Sequence, residues 1–262
     1  MATAAVLGFL QGLVEWLPVS SEGVVAGAYA LIFDTSLDEA VRFALWLHLG
    51  TVPSVLIALR RDIIDIVREF LARPQTPSPT VRFLVVATIV SGVVGLPLLL
   101  TLSDIPSVGG TAATGLIGCF MLVTGYMQLR RREELDKHVR EELNLLDSLL
   151  VGVAQGLAVI PGLSRSGMTV AALLSRRVDR KRALTLSFLL SIPASLAASI
   201  YVGVESGLVF EAEAILAAFV AFVVGLLTIK ALMAAAAKMN LGWFVTAVGA
   251  VMIVGTLIAW LL

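Results

Sequence analysis

Long apolar stretches, separated by short polar segments, make up most of the chain. Six of them contain about 20 largely apolar residues, the length that a helix needs to cross a bilayer. They lie at roughly 39–59, 81–103, 110–129, 182–203, 212–237 and 241–262. The pattern predicts an all-α integral membrane protein with six transmembrane helices.

Two further apolar stretches, at about 3–33 and 148–175, do not fit this pattern. Each is too long for one transmembrane helix and too short for two crossings. Each is also interrupted at its centre, from Pro18 and from Pro161, by polar and glycine residues. Irregular backbone is tolerated at membrane depth only where protein or water satisfies it. We therefore expect two re-entrant helical hairpins, each made of two half-helices that meet partway through the bilayer.

The distribution of charge fits this topology. If both hairpins are re-entrant, nearly all of the 19 basic residues fall on one side of the membrane. The loops on the other side, 103–110 and 204–211, contain acidic residues and no lysine or arginine. Because basic loops face the cytoplasm, we expect a multi-pass protein of the plasma membrane with cytoplasmic basic loops and both termini outside. The net charge of zero gives no signal for a nucleic-acid partner.

The two interrupted stretches resemble each other. Residues 8–23 match residues 152–167 without a gap at six positions, which include Gly8/Gly152, Gln11/Gln155 and Ser20/Ser164. We therefore predict a single membrane domain with an inverted repeat. Repeat 1 covers about 1–129, a cytoplasmic connector about 130–147, and repeat 2 about 148–262. Inverted repeats with broken helices place a binding site near the bilayer midplane.

Three charged residues, Glu15, Glu22 and Arg165, would lie within the membrane in this topology. Such charges are costly and by default indicate function. Two carboxylates would repel a phosphorylated ligand unless a divalent cation, Mg²⁺ or Ca²⁺, were bound by Glu15 and Glu22. The planar donor set of Arg165 suits phosphate oxygens. An alternative is that the charges form only a structural ion pair.

Polar uncharged residues surround these charges. Gln11 lies four residues before Glu15 and so shares its helix face. Ser20 or Ser21 can cap the second half-helix of the first hairpin, as Ser164 can in the second. Two helix N-termini that converge favour an anion. The candidate substrate-binding residues are Gln11, Ser20, Ser164, Ser166 and Thr169. For the serines, capping alone is the alternative interpretation.

Both interruptions resemble motifs of the bacitracin-resistance type of undecaprenyl-diphosphate phosphatase. The first reads Gln11-Gly-Leu-Val-Glu15-Trp-Leu-Pro-Val-Ser20-Ser21-Glu-Gly23 and resembles the acidic (Glu/Gln)-x-x-x-Glu motif with its adjoining Pro-x-Ser-Ser segment. The second reads Pro161-Gly-Leu-Ser164-Arg165-Ser166-Gly167-Met-Thr169 and resembles the Pro-Gly-x-Ser-Arg-Ser-Gly-x-Thr motif. The resemblance covers essentially the whole chain.

This resemblance implies hydrolysis of a polyprenyl diphosphate to the monophosphate at the outer face of the plasma membrane, with a divalent metal, in the recycling of a lipid carrier. It implies that Glu15 is a metal ligand or base, that Ser21 is a nucleophile or phosphate ligand, and that Arg165 clamps the transferred phosphoryl group. The expected partners are the polyprenyl diphosphate and the bilayer. The expected assemblies include a homodimer.

The sequence departs from the family at one position of the first motif. The family usually has Ser-Ser-x-Gly-His, whereas Val24 follows Gly23 here. The variant resembles an archaeal branch, for which a dolichyl carrier is an alternative to undecaprenol. Glu22 is the candidate acid–base group in place of the missing histidine, and His48 is interpreted as a packed core residue. Because of this departure, transport or flipping of a phosphorylated polyprenol without hydrolysis is kept as an alternative function.

Overall fold

The computed structural model describes residues 1–33, 35–103, 110–130, 139–160, 162–239 and 242–261, and all regular secondary structure in these residues is helical. In chain order the helices are α1 (Ala2–Val14), α2 (Ser21–Phe33), α3 (Leu37–Ala58), α4 (Arg60–Ala72), α5 (Pro79–Ser103), α6 (Gly110–Arg130), α7 (Leu145–Leu157), α8 (Arg165–Ser175), α9 (Arg180–Glu205), α10 (Ala212–Lys238) and α11 (Gly242–Leu261). The prediction of an all-α protein is confirmed.

Five of the described helices, α3, α5, α9, α10 and α11, are long and apolar enough to cross a membrane. They coincide with five of the six predicted spans to within a few residues. The sixth predicted span corresponds to α6, in which a shorter apolar segment, Thr114–Leu129, is found. A sixth crossing therefore stays a prediction. Residues 104–109, between α5 and α6, and residues 131–138 of the predicted connector lie outside the described residues.

The two interrupted stretches form two pairs of short helices. We call α1–α2 hairpin 1 and α7–α8 hairpin 2. Their helices contain 11 to 13 residues, about 17–20 Å at 1.5 Å per residue, and so fall short of the ~30 Å hydrocarbon core. In hairpin 2 the break includes Gly162, whose φ of +95° favours glycine. The predicted breaks are confirmed, and their re-entrant placement stays a prediction.

Each hairpin packs on a long helix from the other half of the chain. Helix α1 packs against α10 through Gly8 and Gly12, and α7 packs against α5 through Gly152 and Gly156. A Cβ atom at any of these four positions would overlap atoms of the facing helix. The Gly-x-x-x-Gly spacing therefore lets the backbones approach closely, as small residues do at membrane helix interfaces.

The turn of hairpin 1 is supported by a rigid apolar contact. Trp16 is fully buried and packs edge-on against Phe188 of α9, with ring centroids 5.6 Å apart. Beyond the turn, the Ser20 hydroxyl accepts a hydrogen bond from the backbone N–H of Gly23 at 3.2 Å. These contacts hold the end of α1 and the start of α2 in place.

Candidate active site

The turns of the two hairpins meet in one small polar cleft. Hairpin 1 contributes Glu15 from the end of α1, and Ser20, Ser21 and Glu22 from the start of α2. Hairpin 2 contributes Ser164, Arg165 and Ser166 from the start of α8, and His48 of α3 completes the polar lining. The structure thus brings together seven of the nine site residues predicted from the sequence.

Glu15 lies at the centre of the hydrogen-bond network and is 4 % exposed. Its Oε2 atom accepts hydrogen bonds from Ser21 Oγ at 2.8 Å and from Gln11 Nε2 at 3.0 Å. His48 Nε2 lies 3.3 Å from the same oxygen. The other oxygen, Oε1, pairs with Nη2 of Arg165. Both carboxylate oxygens of Glu15 are therefore engaged by partners from three separate parts of the chain.

Two charged groups of the cleft are only partly engaged. Among the residues that the structure describes, Oε2 of Glu22 and Nη1 of Arg165 are buried and have no hydrogen-bond partner. Leaving a buried charged group unpaired carries a large desolvation penalty. A carboxylate oxygen suits a cation and a guanidinium N–H suits an anion, so the cleft can bind a ligand that presents both kinds of partner.

Two of the four serines that line the cleft, Ser20 and Ser164, act as helix caps. Ser164 accepts from the backbone N–H of Gly167 at 3.1 Å, as Ser20 does from Gly23. Ser166 donates to the carbonyl oxygen of Leu17 at 3.2 Å and so ties hairpin 2 to hairpin 1. Because α2 and α8 both begin at the cleft, their N-terminal partial charges favour an anion there. The capping interpretation is confirmed for Ser20 and Ser164, and their contact with a ligand stays a prediction.

Two predicted substrate-binding residues do not line the cleft. Gln11 lies one helical turn behind Glu15 and donates to it. Thr169 is fully buried one turn beyond Arg165, with its hydroxyl 2.6 Å from that of Ser187. Their placement supports the charged side chains in front of them.

His48 is the site residue that sequence reasoning missed. It is buried, as an ordinary core residue would be, but its ring lies beside Glu15 and 3.9 Å from Glu22 Oε1. The signal available in the sequence is weak: His48, Thr51 and Ser54 recur every three residues of α3, which marks one face of that helix as polar.

The donor set decides how a divalent cation could be held. No group of three or more histidine, cysteine, aspartate or glutamate side chains arranged to hold a metal ion occurs in the described part of the chain. Mg²⁺ is commonly bound by one or two carboxylates together with substrate phosphates. Glu22, with one unpaired oxygen, fits that pattern, whereas both oxygens of Glu15 already have partners. The metal sites predicted at Glu15 and Glu22 stay predictions.

A second, mostly apolar cavity adjoins the cleft. Glu22, His48 and Arg165 line both spaces. The remaining wall of the second cavity includes Leu45, Leu99, Ala158, Val159, Ala194 and Ala198. A charged cleft that continues into apolar space suits a ligand with a polar head and a hydrocarbon tail.

The chain is similar in sequence to known proteins over nearly its whole length. Residues 4–256 match the family model described as "Bacitracin resistance protein BacA". A protein of Methanococcoides burtonii named undecaprenyl-diphosphatase is 41 % identical over 256 residues, which cover 95 % of this chain and 96 % of that protein. One of the same name from Haloarcula marismortui is 39 % identical over 262 residues, with 97 % of each chain covered. The chain belongs to the bacitracin resistance protein BacA family.

Proposed function

We propose that this protein hydrolyses undecaprenyl diphosphate to undecaprenyl phosphate and inorganic phosphate. The observation that carries the proposal is the pairing of unlike groups in one cleft: an unpaired guanidinium N–H of Arg165 and an unpaired carboxylate oxygen of Glu22, next to the Ser21–Glu15 hydrogen bond. The relatives named undecaprenyl-diphosphatase cover nearly the whole chain and support the same reaction.

The cleft suits the two ends of this substrate. Arg165 and the N-termini of α2 and α8 bind the terminal phosphate, since a guanidinium and helix N–H groups both favour phosphate oxygens. The adjoining apolar cavity accommodates the first isoprene units. The bilayer would surround the rest of the lipid.

Glu15 is placed to accept the proton of the attacking oxygen. Ser21 Oγ already donates to it at 2.8 Å, which is within the reach expected of a general base. As the oxygen of Ser21, or of a water molecule beside it, bonds to the terminal phosphorus, its proton passes to Glu15. The bond from that phosphorus to the bridging oxygen breaks, and its electron pair stays on the prenyl monophosphate. If Ser21 attacks, water then cleaves the phosphoserine.

Charge neutralisation supports the same step. Arg165 stabilises negative charge on the transferred phosphoryl group, and such preorganised donors act strongly in a water-poor site. A divalent cation held by Glu22 would supply further positive charge beside the diphosphate.

The proposed topology comprises six transmembrane helices and two re-entrant hairpins in an inverted repeat, with hydrolysis at the outer face. In support, the repeat-related glycine pairs Gly8/Gly12 and Gly152/Gly156 contact repeat-related helices, α10 and α5. Labelling of single cysteines in sealed vesicles, in a variant that lacks Cys119, tests which loops face outward. Labelling of the basic loops from outside would overturn the orientation.

Phosphate release by purified protein tests the proposed reaction. Undecaprenyl diphosphate and dolichyl diphosphate are supplied separately with Mg²⁺ or Ca²⁺, and wild type is compared with Ser21→Ala and Arg165→Ala. We expect release by wild type, its loss in Arg165→Ala and a large reduction in Ser21→Ala. If folded wild type released phosphate from neither of the two lipids, the proposal would be overturned. Movement of labelled polyprenyl phosphate across vesicles without phosphate release would indicate transport instead.

A further inference from the structure

His48 connects the cleft to a helix that belongs to neither hairpin. Its Nδ1 atom lies 3.1 Å from the carbonyl oxygen of Ala44, one turn earlier on α3. Its Nε2 atom lies 3.3 Å from Oε2 of Glu15 and 3.9 Å from Oε1 of Glu22. The backbone contact at Nδ1 fixes the ring so that Nε2 points toward the carboxylates.

The hydrogen-bonding chemistry of the ring gives this contact a direction. A carbonyl oxygen only accepts, so Nδ1 carries hydrogen and donates to Ala44. Nε2 lies 3.3 Å from Oε2 of Glu15, which is within hydrogen-bond distance, and the carboxylate oxygen is the acceptor in such a contact. The oxygen in this contact, Oε2, is the same one that accepts from Ser21.

We infer that His48 is a positioning residue of the active site that acts through Glu15. This inference rests on the proposed function, in which Glu15 takes the proton of the attacking oxygen. His48 holds Oε2 of Glu15 toward Ser21, while Arg165 holds Oε1. A nucleophile, a base and a third group that orients the base form a recurring arrangement in nucleophilic catalysis. Here the three groups come from α2, α1 and α3.

Gln11 cannot replace His48 in this role. It also donates to Oε2, but it lies on the same helix face as Glu15 and moves with α1. His48 is the contact that fixes the carboxylate relative to α3, which packs against α2 and α9. Ordinary core packing does not account for a buried imidazole, because an apolar side chain would fill the space without the cost of burying polar nitrogens.

Kinetics of His48→Leu and His48→Gln test the inference. Leucine removes the donor, and we expect kcat to fall about 100-fold, since misplacing a catalytic group by about 1 Å has an effect of that order. We expect KM to change less than about threefold, because the phosphate-binding groups remain. Glutamine restores an N–H donor, so its kcat is expected to return to within about tenfold of wild type.

Ser54→Ala is the matched control. Ser54 lies on the same helix, is fully buried and donates to the carbonyl oxygen of Phe222, away from the cleft. Its kcat should equal that of wild type. A folded His48→Leu protein with kcat within threefold of wild type would overturn the inference, as would a glutamine variant no better than leucine.

A spectroscopic measurement keeps the inference testable if the leucine variant does not fold. The chain has two histidines, so in a His138→Gln background ¹⁵N-labelled histidine reports on His48 alone. We expect Glu15→Gln to shift the Nε2 resonance and Ser54→Ala to leave it in place. An unchanged resonance in Glu15→Gln would show that the contact is absent. If wild type releases no phosphate, the proposed function fails, and this measurement still reports on the contact.

Discussion

The turns of the two hairpins share a backbone design and differ in chemistry. In each, a serine caps the second helix by accepting from a glycine N–H three residues later, at 3.2 Å for Ser20 and 3.1 Å for Ser164. In each, the first helix packs through a Gly-x-x-x-Gly face on a long helix of the other half. Each hairpin therefore presents one helix N-terminus to the cleft through the same backbone geometry.

The charged groups of the cleft are divided between the two turns. Hairpin 1 carries Glu15 and Glu22, where hairpin 2 has Val159 and Ser166 at the equivalent positions. Hairpin 2 carries Arg165, where hairpin 1 has Ser21. Two acidic turns would repel each other, and two basic turns would lack a proton acceptor. The comparison shows how two turns of similar backbone design form one site when opposite charges are placed at different, non-equivalent positions of the two turns.

Exchange of the equivalent residues gives the largest expected effect. We expect Ser21→Arg combined with Arg165→Ser to lose at least about 1,000-fold in kcat/KM, as other enzymes do when an arginine that stabilises a transferred phosphoryl group is removed. The exchange puts the guanidinium on the turn that carries both carboxylates and removes the hydroxyl beside Glu15. Phosphate release is measured against the single variant Arg165→Ser. Recovery to within tenfold of wild type would show that the two turns are interchangeable.

Glu22→Gln gives a smaller expected effect. The amide keeps the size of the side chain and removes the negative charge, so we expect a roughly 100-fold loss of kcat/KM and a higher Mg²⁺ concentration for half-maximal rate. The control is Ser166→Ala at the equivalent position of hairpin 2, for which the Mg²⁺ dependence should not change. An unchanged Mg²⁺ dependence in Glu22→Gln would exclude Glu22 as the metal ligand.

The equivalent glycines test the shared scaffold. Gly8→Ala and Gly152→Ala each force a methyl group into the facing helix, and we expect each to lower the free energy of unfolding by about 1–3 kcal/mol, the usual cost of overpacking. Gly92→Ala on α5 is the control, because no atom lies within 4 Å of the added Cβ. Unfolding in detergent by denaturant is the measurement. A loss of stability in only one of the two variants would show that the two hairpins do not pack equivalently on their long helices.

The caps give the smallest expected effect. Ser20→Ala and Ser164→Ala each remove one side-chain acceptor at a helix N-terminus, which costs about 1 kcal/mol. The same unfolding measurement applies, with Thr185→Ala as control because its hydroxyl is exposed and bonds within its own helix. Equal losses in the free energy of unfolding for the two variants would support equivalent caps. A loss of activity larger than the loss of stability explains would indicate that the serine contacts phosphate directly.

The sequence predicts the helices and the breaks well, because both depend on local chemistry. Apolar runs of sufficient length mark the long helices, and Pro18 with the Pro161–Gly162 pair marks the breaks. The convergence of the two turns also follows from the repeat. The charged residues could be identified because carboxylates and a guanidinium within apolar stretches are uncommon.

The sequence cannot predict which neighbouring helix completes the cleft. His48 was missed because it lies in a predicted transmembrane helix outside both hairpins, and only the packing of α3 against α2 shows that its ring faces the turns. Gln11 and Thr169 have the right spacing from Glu15 and Arg165 but lie one turn too far from the cleft. Helical periodicity gives the face of a residue, while its depth depends on how the helices are stacked.

The ion pair between Glu15 and Arg165 also bears on selectivity among lipids. In the absence of substrate, the Glu15 carboxylate pairs with the Arg165 guanidinium much as a phosphate would. An arriving lipid headgroup must therefore compete with Glu15 for Arg165. The terminal phosphate of a diphosphate carries up to two negative charges and can compete, whereas the phosphodiester of an ordinary phospholipid carries one and is hindered on both sides. We expect the cleft therefore to reject the abundant bilayer lipids that surround it and to admit a rare one.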